Sequence, residues 1–119
     1  MFRPPRGYAE LRERVIALWL GYSTIAWSCH AFDWAEERTA EQIAADLLDR
    51  LHPGAIVTLH DGLCRGPGNY PDIDRTPTID AVGDALRKLA GSYEFLTVPE
   101  LLKRARVRKT VWRSRPSSS

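Results

Sequence analysis

Three stretches of the chain repeat their apolar positions at the spacing of an α-helix. Residues 8–21 end at a glycine and predict an amphipathic helix. Residues 39–54 open with Thr and, three positions later, Gln, which is a capping box, and they close on Pro-Gly. Residues 76–93 begin with Thr-Pro and predict another helix, while residues 99–106 predict a short final one. The apolar side of the first helix consists of Leu11, Val15, Leu18 and Trp19.

Between these helices lie three short runs that favour β-strands. They are residues 22–31, 55–60 and 94–98. The second run is almost continuously apolar, which is typical of a strand in a parallel sheet that is covered on both faces. Because helices and strands alternate along the chain, the pattern predicts an α/β fold with about three parallel strands joined by right-handed crossovers.

Titratable residues stand where the first two predicted strands end. Asp33 belongs to "HAFDW" after the first strand, and His60 and Asp61 close the second strand in "AIVTLHDG". The carboxyl ends of parallel strands meet at one edge of a sheet, where α/β proteins build their sites. An imidazole beside a carboxylate can act there as a general acid. The same residues could instead only cap the strand end with hydrogen bonds, and their spacing fits both hypotheses.

Charge is distributed unevenly along the 119 residues, which suffice for one small domain. The net charge is +2, yet residues 103–119 contain seven Lys or Arg and no acid, which predicts a basic disordered tail. Cys29 and Cys64 lack the paired spacing of a zinc site and leave the compartment undecided. Residues 15–32 carry no charged residue, but their Gly, Ser, Thr and His argue against a membrane span. No signal peptide is expected.

Three segments, in this order along the chain, carry a resemblance to a known family. They are "FRPPRG" at 2–7, "WSCHAFDW" at 27–34 and "IVTLHDG" at 56–62. They resemble the Arg-x-Pro, Asp-Trp and Leu-x-His motifs of the polysaccharide deacetylases, carbohydrate esterase family four, also called the NodB-homology domain. The resemblance covers only the C-terminal half of that domain and implies a partial (β/α) barrel. It assigns residues 1–102 to the domain and residues 103–119 to the tail.

The activity that this resemblance implies is metal-dependent hydrolysis of N-acetyl groups. The substrates would be N-acetylglucosamine-containing glycans such as chitin oligosaccharide or peptidoglycan. His60 would be the general acid that protonates the leaving amine. Asp33 would hold and tune His60, and Arg3 would pair with the catalytic base of the family.

Further positions would bind substrate if the resemblance holds. Trp34 would form a wall of the sugar groove, Thr58 and Leu59 would line the pocket for the acetyl methyl, and the backbone N–H of Arg6 would help to stabilise the oxyanion. The sequence departs from the family at two of these positions, because Arg6 replaces an aromatic residue and Thr58 an apolar one. His30 stands where the family commonly has an acid and is expected to have no catalytic part.

The family's metal-binding motifs are absent from this sequence. Neither its Thr-Phe-Asp-Asp-Gly segment nor its His-x-x-x-His segment occurs. A divalent metal, zinc or similar, is therefore expected for the complete family domain, and none for this chain alone. These observations predict a deacetylase fragment that is inactive by itself. Its expected partners are an acetylated glycan and either a second copy or a complementing N-terminal half, with no nucleic acid. The family implies an extracellular or cell-envelope location.

The alternative function is a non-catalytic glycan-binding or complementation module. In that case the loops around Trp34, Tyr70 and residues 66–69 would hold a glycan without hydrolysing it. Aromatic faces suit sugar rings, but Trp19 and Trp27 are expected in the core. Binding of a chitin oligosaccharide without release of acetate would favour this alternative.

Overall fold

The fold is known from a computed structural model that describes residues 1–35, 37–62 and 74–106. A 3-10 turn, Pro5–Gly7, comes first, and the helices and strands follow in the order α1 (Leu11–Trp19), β1 (Cys29–His30), α2 (Ala40–Arg50), β2 (Val57–Thr58), α3 (Thr76–Leu89) and α4 (Val98–Arg104). The chain divides into two compact units, of which the first contains Met1–Ala26 and the second is Trp27–Arg104. In these described ranges, no helix combines the length and the apolar character needed to cross a membrane.

The first unit is built around α1. The Glu10 backbone N–H donates to Glu13 Oε2 over 2.8 Å in a capping box, and the chain leaves the helix through Gly21 at a φ of 77°. The backbone of Phe2 pairs with Thr24 in an isolated parallel bridge. The predicted helix therefore forms, but the residues of its apolar side, Leu11, Val15, Leu18 and Trp19, are all exposed. Only the small Ala17 is buried on this helix.

The second unit contains a parallel strand pair with a helical crossover. Cys29 pairs with Val57 and His30 with Thr58, and α2 connects the two strands. The capping box predicted for α2 is confirmed, because the Gln42 backbone N–H donates to Thr39 Oγ1 over 3.3 Å and the Thr39 N–H donates to Gln42 Oε1 over 3.2 Å. This β-α-β arrangement is the unit from which both open α/β sheets and barrels are assembled.

The hydrophobic core of the second unit lies where α2 packs against β1 and α3. Ile43 is 1% exposed and is the largest fully buried side chain. Alanines let the two helices approach closely, since they add little volume between the backbones. The buried cluster consists of Cys29, Ala31, Ile43, Ala44, Leu47, Ala81 and Ala85.

The predicted third strand at 94–98 does not form. Thr97 donates its backbone N–H to Glu100 Oε2 over 2.9 Å and its hydroxyl to the same oxygen over 2.6 Å, so helix α4 already begins at Val98. The segment before α4 instead borders a groove of about 260 Å³ that Ile56 and Val57 also line.

The boundary predicted at residue 103 falls within α4. Lys103 and Arg104, which the sequence assigns to the tail, complete α4. The remainder of the tail from residue 107 onward lies outside the described residues.

Candidate functional site

Asp33 and His60 form a hydrogen-bonded pair beside the ends of the two parallel strands. The His60 backbone N–H donates to Asp33 Oδ2 over 2.7 Å, and His60 Nδ1–H donates to Asp33 Oδ1 over 2.9 Å. Asp33 is 3% exposed, whereas 36% of the His60 side chain is exposed. Both oxygens of the buried carboxylate therefore hold His60, and part of the imidazole remains open to solvent.

This geometry fixes the role of each ring nitrogen of His60. A carboxylate oxygen accepts hydrogen bonds, so the proton of a neutral ring lies on Nδ1. Nε2 is then the atom that takes up and releases a proton, and no hydrogen bond to it comes from any residue in the described ranges. An imidazole that is oriented in this way by a buried carboxylate is suited to general acid and base chemistry.

The parallel register brings the two residues to one edge of the sheet. His30 and Thr58 are paired and are the last residues of β1 and β2. Asp33 follows three residues after the first strand and His60 two residues after the second, so the two residues leave the sheet at the same edge.

The turn that carries Asp33 is strained at Phe32, which has a φ of 53°. A residue other than glycine rarely adopts this left-handed backbone conformation, so other contacts must stabilise it. Two arginines hold the carbonyls on either side: Arg38 Nη2 donates to the Ala31 oxygen over 3.2 Å, and Arg75 Nη1 donates to the Asp33 oxygen over 2.9 Å. The turn thus buries the Asp33 side chain while the next residue points outward.

That next residue, Trp34, is 47% exposed and belongs to a row of aromatic rings. Its ring centroid lies 6.3 Å from that of Phe32, which in turn meets the His30 ring edge-on at 4.3 Å. The guanidinium carbon of Arg50 lies 5.0 Å from the Phe32 centroid in a cation–π contact. An exposed indole next to Asp33 offers an apolar face on which a sugar ring can stack.

The other predicted residues of the second unit have different surroundings. Thr58 pairs with His30 in the sheet, and Leu59 is half-buried against the hydrophobic core. Asp61 is exposed and has no hydrogen-bond or ion-pair partner in the described part of the chain.

Arg3 and Arg6 belong to the first unit. Arg3 is exposed, and Arg6 lies within the Pro5–Gly7 turn. Tyr70, Cys64 and residues 66–69, which the sequence analysis also named, lie outside the described residues.

The described residues do not assemble a metal site. Nowhere in residues 1–35, 37–62 or 74–106 do three His, Cys, Asp or Glu side chains come close enough to hold a metal ion. A catalytic zinc is usually held by about three protein ligands. The site geometry offers Asp33 and His60, which bind one another, so a metal at this edge needs ligands from other residues.

Two residues of the site escaped the sequence analysis, Phe32 and Arg75. No local pattern marks a left-handed phenylalanine. Arg75 had a detectable signal, since it immediately precedes α3, the helix that follows β2 in chain order. In a parallel β-α unit the start of that helix returns to the strand ends, so an arginine there is placed near the site.

Cys29 is a free, buried thiol in β1. Burial raises the pKa of this thiol above its ordinary value, and the positive charge of Arg50 offsets part of that rise. The folded state therefore binds the thiol proton more tightly than the unfolded chain does.

We expect this thiol to make stability fall at alkaline pH. Below the ordinary pKa of 9.0, the thiol is protonated in both states. Above it, the unfolded thiol ionises while the folded one does not, so the free energy of unfolding decreases until the pH passes the folded pKa. The check is the urea midpoint of unfolding, measured below and above pH 9 for the unmodified chain and for C29A. The midpoint should fall less steeply with pH in C29A than in the unmodified chain. An equal decline in both proteins would contradict this assignment.

Comparison with known proteins gives one partial match. The sequence matches no family model. Over 60 residues it is 38% identical to a protein of Geobacillus stearothermophilus called "Uncharacterized 30.6 kDa protein in fumA 3'region". The match covers 49% of this chain and 23% of that protein. This chain is therefore similar to a part of a longer protein whose name states no activity.

Proposed function

We propose that this chain carries the general-acid part of a polysaccharide deacetylase site. The observation that carries the proposal is the Asp33–His60 pair, in which both carboxylate oxygens hold one partly exposed imidazole. The motif resemblance at 2–7, 27–34 and 56–62 supports it, because two of these segments supply Asp33 and His60. The substrate class is a glycan that bears N-acetylated amino sugars.

In the proposed reaction His60 acts on the leaving nitrogen. After water has added to the acetyl carbonyl, the C–N bond of the tetrahedral intermediate breaks and its electron pair goes to nitrogen. His60 Nε2–H donates its proton to that nitrogen, so acetate and a free amine are released. Asp33 stabilises the imidazolium and keeps Nε2 facing away from the carboxylate. The catalytic base and any metal ligands would come from other residues.

Trp34 supplies the binding part of the proposal. It follows Asp33 directly, and its half-exposed indole can stack on the apolar face of a sugar ring beside His60. Stacking of this kind holds the acetamido group near the imidazole and explains why an aromatic residue stands outward at this position.

A binding titration with a chitin tetrasaccharide tests the function. We expect W34A to weaken binding by about three- to tenfold, the loss typical of one aromatic stacking contact. W19A is the matched control, because Trp19 is 84% exposed and belongs to the first unit. The proposal fails if the unmodified chain does not bind the oligosaccharide at millimolar concentration, or if W34A and W19A bind it equally.

Acetate release in the same samples is the second measurement. A non-catalytic glycan-binding module is the alternative function, and the half-exposed Trp34 favours it because stacking on a sugar ring needs no reaction at His60. Binding that depends on Trp34 without acetate release is expected from the module and also from a deacetylase site whose catalytic base comes from other residues. Acetate release that is lost in H60A supports the deacetylase.

A further inference from the structure

Arg75 is the residue that links helix α3 to the Asp33–His60 pair. It immediately precedes α3, and its Nη1 donates to the main-chain oxygen of Asp33 over 2.9 Å. The contact joins residues 42 positions apart in sequence. Because Arg75 binds the main chain, it leaves both carboxylate oxygens of Asp33 to His60.

The surroundings of the guanidinium distinguish Arg75 from an ordinary surface arginine. Its Nε and Nη2 atoms are enclosed and have no hydrogen-bond partner in the described part of the chain. Enclosing an arginine in this way is unfavourable, because donors removed from water lose their hydrogen bonds. Within the described part of the chain, the hydrogen bond to the Asp33 carbonyl is therefore the polar contact that holds this guanidinium.

The strain at Phe32 explains why Asp33 needs such a restraint. Phe32 has a φ of 53°, and a turn in this conformation relaxes unless the flanking chain is held. Arg38 holds the carbonyl of Ala31 before it, and Arg75 holds the carbonyl of Asp33 after it. Release of the second restraint lets Asp33 move relative to His60, which follows the other strand, β2.

We infer that Arg75 is a positioning residue, which fixes the Asp33 backbone so that the carboxylate holds His60 with its proton on Nδ1. The catalytic meaning of this inference rests on the proposed function, but the positioning itself does not. A guanidinium suits the task because its planar donors are rigid, whereas the ammonium of lysine is a flexible point charge.

The test is the tautomer of the neutral His60 ring, measured by nitrogen NMR on the histidine-labelled chain. We expect R75M to lower the ratio of the Nδ1–H to the Nε2–H form by about five- to tenfold, the effect of one hydrogen bond. R75K should give a smaller decrease. R87M is the control, because Arg87 lies on α3, the helix that Arg75 immediately precedes, and forms an exposed ion pair with Asp84.

An unchanged tautomer ratio in folded R75M overturns the inference, even if that variant melts at a lower temperature. If R75M does not fold, the His60 tautomer ratio is measured in R75K instead. A ratio equal to that of the unmodified chain then overturns the inference. The measurement needs no glycan. A tautomer shift in a chain that binds no chitin oligosaccharide would therefore retain the positioning role and reject the proposed function.

Discussion

Replacing Asp33 by alanine should lower the free energy of unfolding by about 2–4 kcal/mol. Each hydrogen bond to a charged group contributes about 1.5–3 kcal/mol, and the loss is smaller where the remaining partner is exposed and can bind water instead. The change removes both acceptors of His60, one for its backbone N–H and one for Nδ1–H. The His60 ring can recover water because it is partly exposed, whereas the backbone N–H is in a partly buried place. Urea unfolding followed by circular dichroism measures the loss.

The control for this change is D61A. Asp61 is the neighbour of His60 in sequence, but it is exposed and has no described partner, so its loss should alter stability by less than about 0.5 kcal/mol. Hydrogen exchange adds a local measurement, since the His60 amide should lose protection in D33A. Equal stabilities for D33A and D61A would mean that the pair does not hold the two strand ends together.

The second large effect is expected in the core. I43A removes most of the largest fully buried side chain, which is 1% exposed and belongs to the cluster between α2, β1 and α3. The cost combines lost burial with the cavity that remains, about 2–5 kcal/mol for a change of Ile to Ala. Alanines occupy the facing positions of α3, and they cannot extend to refill the space. A value in the upper half of this range is therefore expected.

I79A is the matched control for the core. Ile79 lies on α3 but is 68% exposed, and alanine is a better helix former, so the change should be nearly neutral. The comparison uses the same substitution on two packed helices and differs in burial alone. If the two variants unfold at the same urea concentration, the packing of α2 on α3 is not as described.

Much of the fold follows from local chemistry in the sequence. The capping box of Thr39 and Gln42 and the Thr-Pro start of α3 set the helices where the pattern predicts them. Strand lengths were harder to predict, because each strand is defined by pairing with a partner. The segment 94–98 has strand composition, yet the Glu100 carboxylate binds Thr97 and starts a helix there. A local cap thus prevailed over strand propensity.

The apolar side of α1 is another feature whose surroundings the sequence does not determine. The sequence predicts that the helix forms, and it does, but periodicity does not tell what covers the apolar side. For the site, the alternation of strands and helices was enough to expect Asp33 and His60 at one edge. The strained Phe32 and the partly buried Arg75 depend on contacts between residues far apart in the chain, which a one-dimensional pattern does not contain.

The crossover between β1 and β2 determines when the Asp33–His60 pair can exist during folding. The pair joins residues 27 positions apart, and the intervening chain contains the whole of α2. Closing such a loop costs conformational entropy before any contact across it can repay that cost. The general-acid candidate is therefore absent from any state that contains only preformed helices. A nascent chain acquires it when the second strand has been synthesised and has docked beside the first.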